Sequence, residues 1–306
     1  MNRVVVGSVL IAVGAFLIVL APLVRFQVAP ALIAAKGDQY GITKLRATGA
    51  QYFSIPDGKV LTADLDIIVT TRGDVKEAVG DRVVWDEFTA VNDVTNGKPG
   101  ISFTERRSAF DKRSGVGLNC CGVSIDKAPV QLQGQIYKFP FDVEKKTYLA
   151  FNSSAGKAFE AKFVGEEQVN GLNTYKFEQV VPETQTQTLN APAALFGMGT
   201  SGDVQLNRVY SGTVTYWIEP TTGAPVRQEQ QRNEVLKSQD GIERAKAFVA
   251  TAKMTDETID ELVKSAGDGK SQITLIRTTL PIVLGVVGVA LFVGGLLLAL
   301  RGRRAV

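Results

Sequence analysis

Two charge-free apolar runs of 21 residues, at positions 4–24 and 280–300, bracket about 250 residues of a chain of 306. A helix of that length rises about 31 Å at 1.5 Å per residue and so matches a bilayer core of roughly 30 Å. An ionised side chain at mid-membrane costs about 3 kcal/mol, and a stretch without one is what insertion requires. Both runs are therefore expected to span. The first run is longer than the ~7–15 apolar residues of a signal-peptide core. Its one small-x-small cleavage candidate, Ala29-Pro30-Ala31, carries proline in the middle, so a retained anchor is expected. The chain then divides into an N-terminal transmembrane helix (1–25), a middle domain (26–276), and a C-terminal transmembrane helix with a basic tail (277–306).

Charge sets the orientation. The tail Arg301-Gly302-Arg303-Arg304 is basic and, by the positive-inside rule, cytoplasmic; Arg3 places the amino terminus on the same side. The middle domain is then extracytoplasmic, with Arg25 and Arg277 reaching headgroups at the outer ends of the spans. Residues 26–276 hold 28 Lys and Arg against 31 Asp and Glu, so the overall +3 belongs to the membrane flanks and not to a nucleic-acid-binding face. The spans also carry small-residue stripes, Gly7, Gly14 and Ala21 in the first and Gly288 and Gly295 in the second. Such stripes suit close packing of the spans on each other or on a partner.

The chain has no histidine, which removes Ser-His-Asp and Cys-His catalysis and His-ligated metal. No catalytic, cofactor or metal site is expected. Cys120 and Cys121 are the only cysteines and are adjacent. Three arrangements are open: a vicinal disulfide clamping the loop 115–122, a pair of intermolecular bridges, or two buried thiols. The vicinal bond is the favoured expectation. Asp64 and Asp66 share a strand face, which could set an acid beside a base, although such pairs more often solvate a sheet edge. Glu105-Arg106-Arg107 and Glu166-Glu167 read as surface charge.

Most of the middle domain reads as antiparallel strands: 60–71, 82–91, 101–106, 157–164, 173–181, 209–219 and 224–234 show β-branched and aromatic residues or alternation, with turn residues between. Asn170-Gly171 marks one hairpin tip, since both residues tolerate positive φ. Glu219-Pro220-Thr221-Thr222-Gly223 marks another. Alternation places Phe159, Ala161 and Phe163 on one face, with Tyr175 and Phe177 on one face of the returning strand. Residues 29–35 are expected to continue the first helix. A short helix is expected from the Thr255 cap to Gly267, with Ile259, Leu262, Val263 and Ala266 on its apolar stripe. Residues 189–200 read as an apolar interruption between strands, whose tip Leu195, Phe196 and Met198 is a candidate contact for lipid or a partner. The fold class is α+β: a β-rich antiparallel extracytoplasmic domain, a curved sheet or half-barrel, between terminal transmembrane helices.

Several segments, taken in order, carry a resemblance. These are the start through Gly37, Phe110-Asp111-Lys112-Arg113-Ser114-Gly115, Tyr137-Lys138-Phe139-Pro140-Phe141, Lys145-Lys146-Thr147-Tyr148, the Asn170-Gly171-Leu172 hairpin with Tyr175 and Phe177, Tyr216-Trp217-Ile218-Glu219-Pro220-Thr221-Thr222-Gly223, and Pro281-Ile282-Val283-Leu284-Gly285. Together with two terminal spans they resemble an actinobacterial envelope family known as PorA-family porins and described largely as a domain of unknown function. The Cys120-Cys121 pair has no place in that pattern. The resemblance implies a channel component. A membrane β-barrel, however, turns an apolar face to lipid, whereas these strands carry many charges. The hairpins also resemble those of LolA-type half-barrel lipid carriers, and the two-anchor plan resembles the scavenger receptor class B family; both are likenesses of architecture.

Three functions follow as expectations. One is a non-catalytic envelope protein that binds or transfers lipid, or scaffolds envelope machinery, with membrane lipids and envelope proteins as partners and no nucleic acid. The second is a porin-like channel component. The third is a receptor-like scaffold, for which a filled sheet core without a tunnel is expected.

Overall fold

A computed structural model describes residues 3–199 and 202–303. Thr200, at the end of the expected interruption, and Arg304, in the basic tail, lie outside the described residues. The chain separates into two compact units, Ala35–Ala266 and a pair of terminal helical segments.

In the helical unit the first run forms α1 (Arg3–Leu23), a π-helical turn (Val24–Val28) and α2 (Ala29–Leu32). Pro22 lies inside α1 and has no N–H to give; the wider turn follows within two residues, a usual place for such a bulge. Helix ends at Leu32 because Ile33 is extended, short of the expected position 35. The second segment contradicts the expected stop at Gly267. Helix α3 (Asp256–Thr274) passes through that glycine into a π-helical turn (Leu275–Thr279) and on to α4 (Leu280–Arg303). A helical glycine costs only about 1 kcal/mol, too little at Gly267, or at Gly269 two residues on, to end a helix that runs without a break into α4.

The small-residue stripes of α1 and α4 face one another. A Cβ on Gly7 would sit 2.8 Å from the Gly295 carbonyl oxygen, and one on Gly14 would sit 2.5 Å from the Phe292 nitrogen. Backbones this close exclude larger residues, and the stripes are used within the chain.

The other unit is one antiparallel sheet. Its strands are β1 (Tyr40–Ser54), β2 (Lys59–Gly73), β3 (Arg82–Asp93), β4 (Lys98–Asp111), β5 (Gly117–Leu118), β6 (Ser124–Ile125), β7 (Ala128–Pro129), β8 (Tyr148–Asn152), β9 (Lys157–Val169), β10 (Leu172–Pro192), β11 (Asp203–Ile218), β12 (Pro225–Ser238) and β13 (Glu243–Met254). The order is β7-β6-β4-β3-β2-β1-β13-β12-β11-β10-β9-β8, with β5 also on β4. The first and last long strands are therefore neighbours.

Each strand expected from sequence is present, most of them longer. Two were missed. In β1 the inward series Leu45, Ala47, Ala50 and Tyr52 is broken by a bulge after Ala47, which hides the period of two. In β13 the alanine-rich sequence suits a helix, yet Phe248, Ala250 and Ala252 alternate into the core. The interruption expected at 189–200 is also corrected: Leu189 to Pro192 belong to β10, and only Ala193–Phe196 form a 3-10 turn, closed by left-handed Gly197.

Cross-strand partners place one continuous face of this sheet inside a curved half-barrel. Leu65, Ile67 and Val91 line one part with the β1 and β13 residues. Phe139, Tyr148, Ala161, Phe177 and Ile218 line the other, packed against Phe163, Tyr175 and Tyr216. This is the face expected for Ala161, Phe163, Tyr175 and Phe177. Asn170 and Gly171 both have positive φ at the expected hairpin tip. In the second turn the Glu219 carboxylate accepts from the Thr222 N–H at 2.7 Å and its hydroxyl at 2.9 Å.

A short link joins the sheet's two sides. Phe151 of β8 donates to the Gln135 carbonyl at 2.8 Å and Gln135 donates to Leu149 at 2.7 Å; Ile136 donates to Gly115 at 3.1 Å and Gly117 to Gly134 at 2.9 Å. Since β5 pairs with β4, the backbone hydrogen bonds run from β8 through Gln135 back to β4. Gly134 has to be glycine: its φ is +67° and a Cβ there would lie 2.2 Å from the Leu149 oxygen.

Candidate functional site

The chemically distinctive region is the interior of the half-barrel together with the loop that links its sides. Arg106 on β4 is registered opposite Glu87 on β3. Its guanidinium donates to the Glu87 carboxylate at 2.7 Å and lies 4.4 Å from the Tyr137 ring centre. Burial, the largest single influence, would lower the Arg106 pKa, but the Glu87 charge, Tyr137 and the hydrogen bonds to both together outweigh it and the net shift is upward. Tyr137 packs against Trp85 and Phe110, and burial pushes its hydroxyl up to about 12. Arg106 is only 8% exposed, which corrects the reading of Glu105-Arg106-Arg107 as surface charge. The period of two places Arg106 inward with Ser108 and Phe110.

Further along the interior, Glu234 of β12 is held between Arg208, whose Nε donates at 2.7 Å, and Arg232. Burial would raise the Glu234 pKa; the two arginines more than offset it and hold it low. Gln179 donates to the Ala150 carbonyl at 2.7 Å, and Asn152 donates to the Gln179 side chain at 3.2 Å. Tyr52 donates to Asp93 at 2.6 Å. The segment from Tyr137 to Val143 runs into this space: Phe139 is buried among Tyr148, Phe177 and Tyr216, and its N–H donates to Gly223 at 2.8 Å. Lys138 is 9% exposed. Burial lowers its pKa to about 7, against a weaker pull from Asp111. The interior thus carries aromatic rings, two paired carboxylates and a buried lysine. Sequence reasoning missed this cluster because inward charges become visible only once cross-strand register is known.

The two cysteines lie in the link loop. Cys120 and Cys121 are joined as a vicinal disulfide and pack beside Val84, Ala109, Val123, Leu132 and Phe151. The Cys121 carbonyl accepts from the Arg107 Nε at 2.8 Å, while the same guanidinium pairs with Asp74 and Asp86. Of the expected loop tip, Phe196 stacks on Phe53 at 5.3 Å between ring centres, Leu195 is 39% exposed and Met198 is half-buried. Asp64 and Asp66 do share a face, but each has a structural partner: Asp64 accepts from the Gly49 N–H at 2.8 Å and Asp66 from Arg46 at 2.9 Å. Glu166 pairs with Lys145, and Glu167 with Lys176 and Arg227. Among the described residues no group of three Cys, Asp or Glu could hold a metal ion. A groove of about 410 Å³ opens at the β1 bulge, lined by Thr48, Gly49, Gly212, Arg232, Ala250 and Thr251.

A curved antiparallel half-barrel carried in one chain with two terminal apolar helices defines a mostly-β protein and points to a membrane or envelope location. The chain belongs to the porin PorA family, whose profile matches residues 6–297. Similar chains include Porin PorA of Corynebacterium amycolatum, 27% identical over 237 residues covering 62% of this chain and 61% of that one. Another is Porin PorA of Corynebacterium resistens, 25% identical over 240 residues, 58% of each. The chain thus spans about three fifths of the length of these relatives.

Proposed function

We propose that this protein is a non-catalytic scaffold of the cell envelope, anchored through two membrane spans with both termini cytoplasmic and residues 26–276 outside. The observation that carries the reading is the set of buried inward side chains: Arg106, Phe139, Phe177 and Glu234 are each less than 10% exposed where a lipid carrier would present an open apolar lining. The outer face of the sheet and the exposed Leu195 at the hairpin tip are then the surfaces on offer to envelope proteins or lipid headgroups. Photo-crosslinkers placed along the outer face in native membranes are expected to capture one reproducible neighbour. Failure to capture any neighbour, together with acyl lipid co-purifying in fixed stoichiometry, would replace scaffolding by lipid transfer. Protease shaving of intact cells is expected to remove the middle domain, and its protection would overturn the topology.

The name carried by the relatives favours a second reading, a channel component. With these side chains buried inside the sheet, the passage would have to be formed by the apolar helices of several copies. Discrete conductance steps from purified protein in planar bilayers would establish it.

A further inference from the structure

We propose that Cys120-Cys121 is a thiol–disulfide exchange site, and that its reduction by a dithiol releases the loop that joins the two sides of the half-barrel. The disulfide lies between two groups of contacts. On one side the Cys121 carbonyl is held by Arg107, which is itself fixed to Asp74 and Asp86. On the other, both cysteines pack in the apolar cluster with Leu132 and Phe151. That cluster borders the link, since Leu132 precedes Gln135 by three residues and Phe151 donates to the Gln135 carbonyl. Asn119 ties the two arms of the loop, accepting from the Leu132 N–H at 2.7 Å and donating to its carbonyl at 3.1 Å.

The bond also dictates local backbone. Cys121 has φ +61°, a left-handed conformation that a residue with a Cβ rarely adopts. The ring adds a covalent constraint to the turn that the Val123 N–H closes on the Cys120 carbonyl at 3.2 Å, and once the ring opens that single hydrogen bond is left to hold Cys121 at positive φ with its carbonyl on Arg107. Both cysteines are half-buried, so a small dithiol has access.

The chemistry balances as ordinary exchange. A thiolate of the dithiol attacks one sulfur, the Cys120–Cys121 bond breaks, and a mixed disulfide forms. The second thiol of the reductant then displaces it. The reductant leaves oxidised as a disulfide, its two electrons are on the protein, and both cysteines end as thiols.

The test is hydrogen exchange on the full-length protein in detergent, oxidised and after treatment with dithiothreitol, with thiols counted by alkylation and mass spectrometry. Reduction is expected to speed exchange at Gln135, Ile136 and Phe151 on the order of tenfold while the β10–β11 pairing stays unchanged. The double variant Cys120→Ser/Cys121→Ser is expected to exchange fast at those positions with or without dithiol. Unchanged exchange once both thiols are counted as free would overturn the proposal, as would a pair that resists dithiol in the folded protein. If the double variant does not fold, the wild-type comparison alone decides.

Discussion

The Arg106–Glu87 pair should be worth far more than its geometry suggests, because of where it lies. Arg106 and Glu87 have side chains 8% and 16% exposed, whereas the Lys145–Glu166 pair has a comparable separation, 2.6 Å, on side chains 46% and 59% exposed. Arg106→Met leaves the Glu87 carboxylate near Tyr137 with its cation gone. Removing one partner of a buried pair costs about 3–5 kcal/mol, and at about 2–4 °C per kcal/mol for a unit of this size the melting temperature should fall by about 6–20 °C. Replacing both, Arg106→Met with Glu87→Leu, removes the stranded charge and should recover most of that loss. Differential scanning fluorimetry on the four proteins of the cycle, in detergent, reads the coupling directly. Lys145→Met should leave the melting temperature unchanged. The reasoning fails if Arg106→Met and Lys145→Met behave alike, or if the double variant is as unstable as the two single losses added.

Three other outcomes are expected. Lys138, held at about 7 by burial, binds its proton less readily folded than unfolded, so its penalty is full below that value and is relieved as pH rises toward the ordinary lysine range. Wild-type stability should therefore climb by a few kcal/mol relative to Lys138→Met between pH 7 and 9.5, and parallel melting curves for the two proteins would contradict this. In the helix pair, Gly14→Leu forces a side chain into the Phe292 backbone, whereas Gly294 has nothing within 4 Å of a Cβ. Protease resistance of the solubilised helices should drop for Gly14→Leu alone, and equal loss from Gly294→Leu would refute the packing. Phe196→Ala and Phe53→Ala each remove one ring of a stacked pair, and the double variant should lose about 0.5–1.5 kcal/mol less than the two single losses added; additive losses in denaturant titrations would count against a direct contact.

What was legible in the sequence and what was not divide along a physical line. Hydropathy and period report on single elements, and they found both apolar helices, the Asn170-Gly171 and Glu219-to-Gly223 turns, and the inward ring series of β9 and β10. Partnership between distant elements leaves no such trace. Nothing local in Arg106 says that Glu87 lies opposite it, and nothing in Gly134 says that the Leu149 carbonyl leaves no room for a side chain. Where local rules failed, a competing term won. Gly267 and Gly269 stay helical because their cost is small against a helix that runs on into α4, and β13 is extended because a ladder with β1 and β12 outweighs the helix preference of its alanines. The same line explains the interior. A face of mixed rings and charges is unreadable as a core in sequence, but once register aligns Glu87 with Arg106 and sets Glu234 within reach of Arg208 and Arg232, both buried carboxylates have a cation beside them. Inward carboxylates paired within the sheet are a poor lining for acyl chains, and that is the physical ground for preferring a scaffold over a carrier.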